Sequence, residues 1–238
     1  AASRAVARRR TRRRPLRRAL GIVARTVLVL VAGYLVACAA LLSLYRGLEP
    51  PVTTVQVQRM VEAAFAGEPM RIDYRPVPAS AMAPAVRHAA VAAEDSRFYQ
   101  HRGFDFEELR RAREEAERQG RPPRGASTIT QQLVKNLFLT THRSWVRKGL
   151  EVPLTVMAEL ILPKERILTL YLNVAEWGPG VFGIEAAAQH HYDRSARRLT
   201  RNQAARLAAC LPNPRQRTPQ QMTRSAARIE ARMRQMGY

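Results

Sequence analysis

The sequence predicts a mainly α protein: one membrane-spanning helix, a short irregular segment, then a helical domain. Three observations predict it. Residues 26–45, TVLVLVAGYLVACAALLSLY, carry no charge, and a helix of that length reaches about 30 Å, the thickness of a bilayer's hydrocarbon core. Helix start and stop signals recur along residues 84–238. Sustained strand-like alternation is missing, although short strands between Val52 and Val77 stay open. With 238 residues, 46% of them hydrophobic, the chain can bury one sizeable core beside an appendage.

The elements follow in order. Residues 1–25 hold ten arginines and no acid. The whole chain has 40 Lys and Arg against 19 Asp and Glu, so almost half of the +21 excess sits in this tail. Such a tail is a nucleic-acid arm or a membrane-topology signal. The apolar run behind it decides for topology: tail in the cytoplasm, everything after Arg46 outside. A cleaved signal peptide would have a shorter apolar region and a clear small-residue cleavage site, which Ala37-Cys38-Ala39 matches only faintly. Cys38 in the span and Cys210 in a late helix cannot meet, so no disulfide is expected.

Residues 46–80 read as a Pro-rich linker and membrane-proximal segment with one amphipathic stretch at Val55–Phe65, and residues 81–238 as the main domain. Pro84 opens a helix at its first position. Asp105-Phe106-Glu107-Glu108 is a capping box for a very polar helix to Gln119. A helix opens at Ser127 or Thr128. Another runs from Ser144 to Leu162 and stops before Pro163. Further helices are expected at 164–172, 181–191, 200–211 (capped by Thr200 with Gln203) and 219–236. The His190-His191 pair cannot face one way on a helix and reads as surface.

Two carboxylates stand out. Glu94, with Asp95 behind it, follows the apolar run AVRHAAVAA and emerges where core meets surface. It is either a general base with a raised pKa or a helix-end acid paired with Arg97 or His101. Glu151 lies on one helix face with Arg143 and Arg147 at four-residue spacing, and Lys148 lies beside them. That stripe is either a solvated face or a polyanion site, since a pyrophosphate needs several converging cations. Between them runs GASTITQQLVK, residues 125–135, which places Ser127, Thr128, Gln131, Gln132 and Lys135 in a row. HExxH, CxxC, GxxxxGK[ST] and GxSxG motifs are absent from the sequence.

Taken together, AEDSRFYQHRGFD, GASTITQQLVKN, RSWVRKGLE, KERILTLYLN and WGPGVFGIEAAAQHHY, in this order, resemble the peptidoglycan glycosyltransferases of glycosyltransferase family 51. The likeness covers residues 80–215, with Ala126 where the family pattern has a second glycine. It implies a lysozyme-like helical glycosyltransferase domain with a smaller membrane-proximal lobe. It implies polymerisation of lipid II into β-1,4-linked glycan, with release of undecaprenyl pyrophosphate. In this reading Glu94 is the base, and Glu151 orients the cations or a bound ion. Asp95, Ser127, Gln131, Gln132, Lys135, Arg143, Arg147 and Lys148 hold substrate. The start of the helix after Ser127 is expected to add free N–H groups for an anion. No cofactor is required, and a divalent cation, Mg or Mn, is an optional helper without a dedicated cage. The expected partners are lipid II, the growing lipid-linked strand, the membrane, and cell-wall synthesis or division proteins, with no nucleic acid. With no transpeptidase domain following, the chain looks like the monofunctional, single-pass form. The family's monofunctional members with GAS at this site imply a Gram-negative inner membrane with the domain in the periplasm, and the Ala- and Arg-rich composition points to a high-GC bacterium. An apolar, basic rim between Arg110 and Arg124 and around Leu137 to Trp145 is expected to meet the membrane.

Three rivals differ in class. A lytic, lysozyme-like enzyme using Glu94 as acid would have a sugar leaving group and no need for a cation stripe. A nucleic-acid binder would need tail and domain on one side of the membrane. A wall scaffold would have no use for both acids in their motif settings.

Overall fold

The computed structural model describes every residue except Ala1, Met70, Pro123, Arg124, Ala126 and Arg143, and for residues 2–18 the backbone alone. The chain divides into two compact units, residues 1–41 and 42–238. The first lies within helix α1, Ala2–Leu44. Its stretch Ala19–Leu44 is long and apolar enough to cross a membrane. That stretch starts earlier than the charge-free run because the helix carries Arg25 without interruption. Val27, Leu28, Val29 and Leu30 on it are exposed.

The second unit is mostly helical. Its helices are α2 (Thr54–Ala66), α3 (Pro84–Glu94), α4 (Phe106–Gln119), α5 (Ile129–Phe138), α6 (Trp145–Ile161), α7 (Lys164–Val174), α8 (Ile184–Tyr192), α9 (Arg201–Ala208) and α10 (Thr223–Gln235). Local chemistry sets their ends. Thr53 with Gln56, Thr128 with Gln131, and Thr200 with Gln203 each form a reciprocal capping box. Asp105 accepts from the Glu108 N–H to start α4, and Ser144 from the Arg147 N–H to start α6.

Helix α3 packs on α9 and α10, while α5 packs on α6 and α7. Trp177, Tyr171, Phe98 and Phe182 are the largest side chains in the core they enclose. A three-stranded sheet joins β1 (Asp73–Tyr74), β2 (Glu176–Gly178) and β3 (Val181–Phe182) in the order β1-β3-β2. β1 runs parallel to β3, with Asp73 opposite Val181, and β2 runs antiparallel to it. The expected helix from Val181 therefore starts later, at Ile184, because Val181 and Phe182 pair in the sheet. Gly183 makes the turn at φ 85°, with a Cβ position only 2.7 Å from the Asn173 carbonyl oxygen, so no other residue fits. His190 is exposed as expected, but His191 is half-buried beside Gly178, and burial lowers its pKa.

The KERILTLYLN motif acts as a clamp. Arg166 donates to the Tyr45 and Leu48 carbonyls at 2.7 and 2.6 Å and to Glu49 at 2.6 Å. The Asn173 amide donates to Glu49 and to the Val77 carbonyl, both at 2.9 Å. Residues 45–49 are thus strapped onto α7. Lys164 pairs with Glu159 at 2.8 Å and lies 4.4 Å above the Phe98 ring. Glu159 also accepts from Thr130 at 2.5 Å, so one buried acid ties α5, α6 and α7 together.

Candidate active site

The site forms where α3 ends against the start of α5. The apolar face of α3, with Val86, Ala89, Ala90 and Val91 buried, fixes that helix on α9 and α10. Asp95 leaves the helix and spends both oxygens inside the protein. Oδ2 accepts from the Ile129 N–H at 3.0 Å, and Oδ1 bonds His101 Nε2 at 2.9 Å. This link holds the end of α3 against the head of α5, beside Gln132. Gln132 Nε2 then donates to Glu94 Oε2 at 2.7 Å. Burial raises the Glu94 pKa above the usual carboxylate range, opposed by the Gln132 bond and the Lys135 charge.

The polar run 127–135 now divides by task. Thr128 and Gln131 cap α5, and the Thr128 hydroxyl also donates to the Gly103 carbonyl at 2.7 Å. Thr130 is consumed by Glu159. Ile129, Leu133 and Val134 are fully buried. The expected row of free N–H groups at the head of α5 is not there. The Ile129 N–H goes to Asp95, that of Gln131 to the Thr128 hydroxyl and that of Gln132 to the Thr128 carbonyl. Ser127 is exposed, and Lys135 is half-buried with no ion pair among the described residues. Burial lowers its pKa, against the pull of Glu151 and Glu94.

On α6, Glu151 is 3% exposed and its two oxygens are held separately. Arg147 binds Oε2 at 2.8 Å and Lys148 binds Oε1. Glu151 therefore organises cations, and its field reaches Lys135. Arg143, expected beside them, lies outside the described residues.

Three hollows meet here. One of about 490 Å³ is walled by Glu94, Asp95, Ser127, Gln132, Pro212 and Arg232. A second, about 260 Å³, shares Asp105 and Ser127 with it and adds Gln131, Lys148, Phe104 and Phe106. A third, about 250 Å³, shares Glu94 and Arg232 with the first and adds Arg217 and Arg228. Glu94 thus stands at a wall common to two hollows. The structure gathers Glu94, Asp95, Ser127 and Gln132 at the first, and Gln131 and Lys148 at the second. It gives Asp95 and the Gln131 carbonyl internal partners, so these two shape the site more than they face a ligand.

Sequence reasoning missed the arginine side of the site. Arg232 donates to the Ala92 carbonyl at 2.9 Å, next to the end of α3. The four-residue recurrence of Arg224, Arg228 and Arg232 was the available signal. Asp95, His101 and Asp105 come nearest to a metal-ligand set among the described residues. They fit a cation poorly. Both Asp95 oxygens are engaged, one Asp105 oxygen accepts from the Glu108 N–H, and the other faces Arg97 at 3.4 Å.

A model of the Transglycosylase family matches residues 63–237. The chain belongs to this family. A biosynthetic peptidoglycan transglycosylase of Chromohalobacter salexigens is 50% identical over 187 residues, covering 77% of this chain and 80% of that one. One from Pseudomonas fluorescens is 45% identical over 222 residues, 92% of each chain. One from Caulobacter vibrioides is 49% identical over 187 residues, 79% of this chain and 77% of that one. The family match contains every element that walls the three hollows.

Proposed function

We propose that this transglycosylase is a peptidoglycan glycosyltransferase that polymerises lipid II into β-1,4-linked glycan and releases undecaprenyl pyrophosphate. Besides the family, the observation that carries the reading is Glu94: a desolvated carboxylate between two hollows, facing the field of Lys135. A sugar hydroxyl is a weak nucleophile, and a base whose pKa is raised toward the working pH suits its activation. Glu94 takes the proton from the 4-hydroxyl of the acceptor's N-acetylglucosamine as the oxygen attacks the anomeric carbon of the donor's N-acetylmuramic acid. The bond to the pyrophosphate oxygen breaks on the opposite face, which inverts the α-linked donor. Charge develops on the leaving pyrophosphate, and Lys135, Arg147 and Lys148, with Arg143, stabilise it. Lys135 is the strongest candidate because it is desolvated and has no ion pair among the described residues, whereas Arg147 and Lys148 are already held by Glu151. Ser127 and Gln132 line the sugar-binding hollow. No step of this scheme runs through a metal ion.

We assign residues 1–25 to the cytoplasm, the apolar helix to the inner membrane, residues 46–80 to the membrane-proximal segment and residues 81–238 to a periplasmic catalytic domain. The arginine-rich tail beside one candidate span supports that orientation. Incubating the purified chain with lipid II tests the reading. Polymer is expected, and release of fragments from preformed wall without polymer would refute it in favour of a lytic enzyme.

A further inference from the structure

We propose that Tyr171 is a positioning residue for the base: its phenol locks the Gln132 amide with the NH₂ end toward Glu94. The inference rests on Glu94 being the base. Tyr171 is 1% exposed on α7, and its hydroxyl donates to Gln132 Oε1 at 3.2 Å. Gln132 Nε2 in turn donates to Glu94 Oε2 at 2.7 Å. An amide side chain is nearly symmetric in shape, so its neighbours decide which end points where. An ionised Glu94 can only accept, and a buried phenol needs an acceptor. A single amide orientation satisfies both. The reversed amide would set its carbonyl against the carboxylate, which is tolerable only when Glu94 is protonated.

Tyr171 therefore biases Gln132 toward the orientation that favours the ionised, basic form of Glu94. Burial raises the phenol pKa well above its ordinary value, so the donor persists wherever Glu94 titrates. The other groups facing Glu94 are Lys135 on α5, Asp95 beside it on the chain, and Arg217 in the loop after α9. Arg232 of α10 lines the same two hollows. All four remain in place when the phenol is removed, so a changed titration would report the relay.

The test is the pH dependence of kcat/KM for lipid II polymerisation by the full chain in detergent. Tyr171→Phe keeps the ring and removes the donor. The acid limb is expected to move to higher pH by about half a unit to one unit, with a plateau lowered less than about tenfold. In a Gln132→Ala background, Tyr171→Phe is expected to move the limb no further, because its influence passes through the amide. An acid limb unmoved in Tyr171→Phe, a drop that is uniform at all pH values, or a shift that persists without Gln132 would overturn the proposal. Should Tyr171→Phe fail to melt cooperatively, Gln132→Ala alone decides: its acid limb must move upward, and an unmoved limb rejects the relay. Glu94→Gln, assayed alongside, separates the two readings, since turnover there would remove the base itself whatever Tyr171 does.

Discussion

Glu94 is harder to ionise in the folded chain than in the unfolded one, because burial raises its pKa. Two outcomes follow from that single fact. Glu94→Gln is expected to lower polymerisation by roughly 10²–10⁴-fold, since the amide keeps the shape and cannot take a proton. The same change is expected to raise the melting temperature at pH 8. With a raised folded-state pKa, the stabilising contribution of this carboxyl is complete below its ordinary value and is lost as pH rises through the folded value. The wild-type chain therefore carries the strain of a desolvated charge at pH 8, and the Gln variant does not. The difference should close near pH 4, and equal melting temperatures at both pH values would contradict it. Lys135 behaves as its counterpart, a desolvated cation without an ion pair among the described residues. Lys135→Ala is expected to weaken binding of a phosphoglycolipid inhibitor of the moenomycin type by at least about tenfold, the loss of one charge-assisted contact, while the fold is retained by circular dichroism. Lys135→Arg should recover part of that affinity, because a planar fork replaces a compact point charge. Unchanged affinity in the alanine variant would move the phosphate site to other cations.

Elements hold these residues in place through contacts that sequence shows unevenly. Helix starts were legible because capping chemistry is local: Thr128 with Gln131 and Thr200 with Gln203 sit three residues apart. The grouping of Arg147 and Lys148 on Glu151 was legible from spacing, and the motif singled out Glu94. The sheet was only half visible. Two- and three-residue strands carry no period, and Val181–Phe182 pairs both with Glu176–Gly178 just before it and with Asp73–Tyr74, over a hundred residues earlier. The internal role of Asp95 was hidden for the same reason, since its partner, the Ile129 N–H, lies across the fold and is not written next to it. Gly103 shows how tightly such cross-fold contacts bind. Its φ is 86°, and a Cβ there would lie 2.6 Å from the Thr155 methyl and 3.1 Å from the Glu159 Cγ. Gly103→Ala is expected to cost roughly 2–4 kcal/mol, from left-handed backbone strain plus overpacking, and to disturb the Thr128 cap that bonds the Gly103 carbonyl. Urea melts would check it, and a loss within about 0.5 kcal/mol, the range of a neutral surface change, would contradict it. On α6, Glu151→Gln should destabilise by less than the roughly 3–5 kcal/mol of a fully buried pair, because Arg147 and Lys148 keep access to water.

At the scale of the whole molecule, the substrate's lipid tail keeps its reactive sugars at a bilayer surface, so the catalytic unit needs its own contact with that surface. Of the expected rim, Arg110, Arg111 and Arg118 on α4 are exposed. In its second stretch Leu137, Phe138 and Leu139 are buried, whereas Trp145 is 94% exposed. From Trp145 on, helix α6 carries an apolar stripe. Trp145, Val152, Val156 and Leu160 fall on one face at helical spacing, and all are exposed. A long exposed apolar stripe on a soluble face is unfavourable unless something covers it. With an indole at one end and cations nearby, a lipid interface suits it. The cut that tests this should precede Leu42, not follow Arg46. Leu42 is fully buried and Tyr45 nearly so, and the strap to Arg166 begins at the Tyr45 carbonyl. Residues 42–238 are therefore expected to fold and still to sediment with liposomes containing anionic lipid. Trp145→Ser combined with Leu160→Ser is expected to weaken that partition by about tenfold or more, since each removes a large apolar surface from the lipid contact. Neither side chain is held in the core, so the melting temperature should stay close to that of the parent domain. Equal sedimentation of parent and double variant would place the membrane contact on another face, with exposed Phe65, Val61 and Val57 of α2 the next to test.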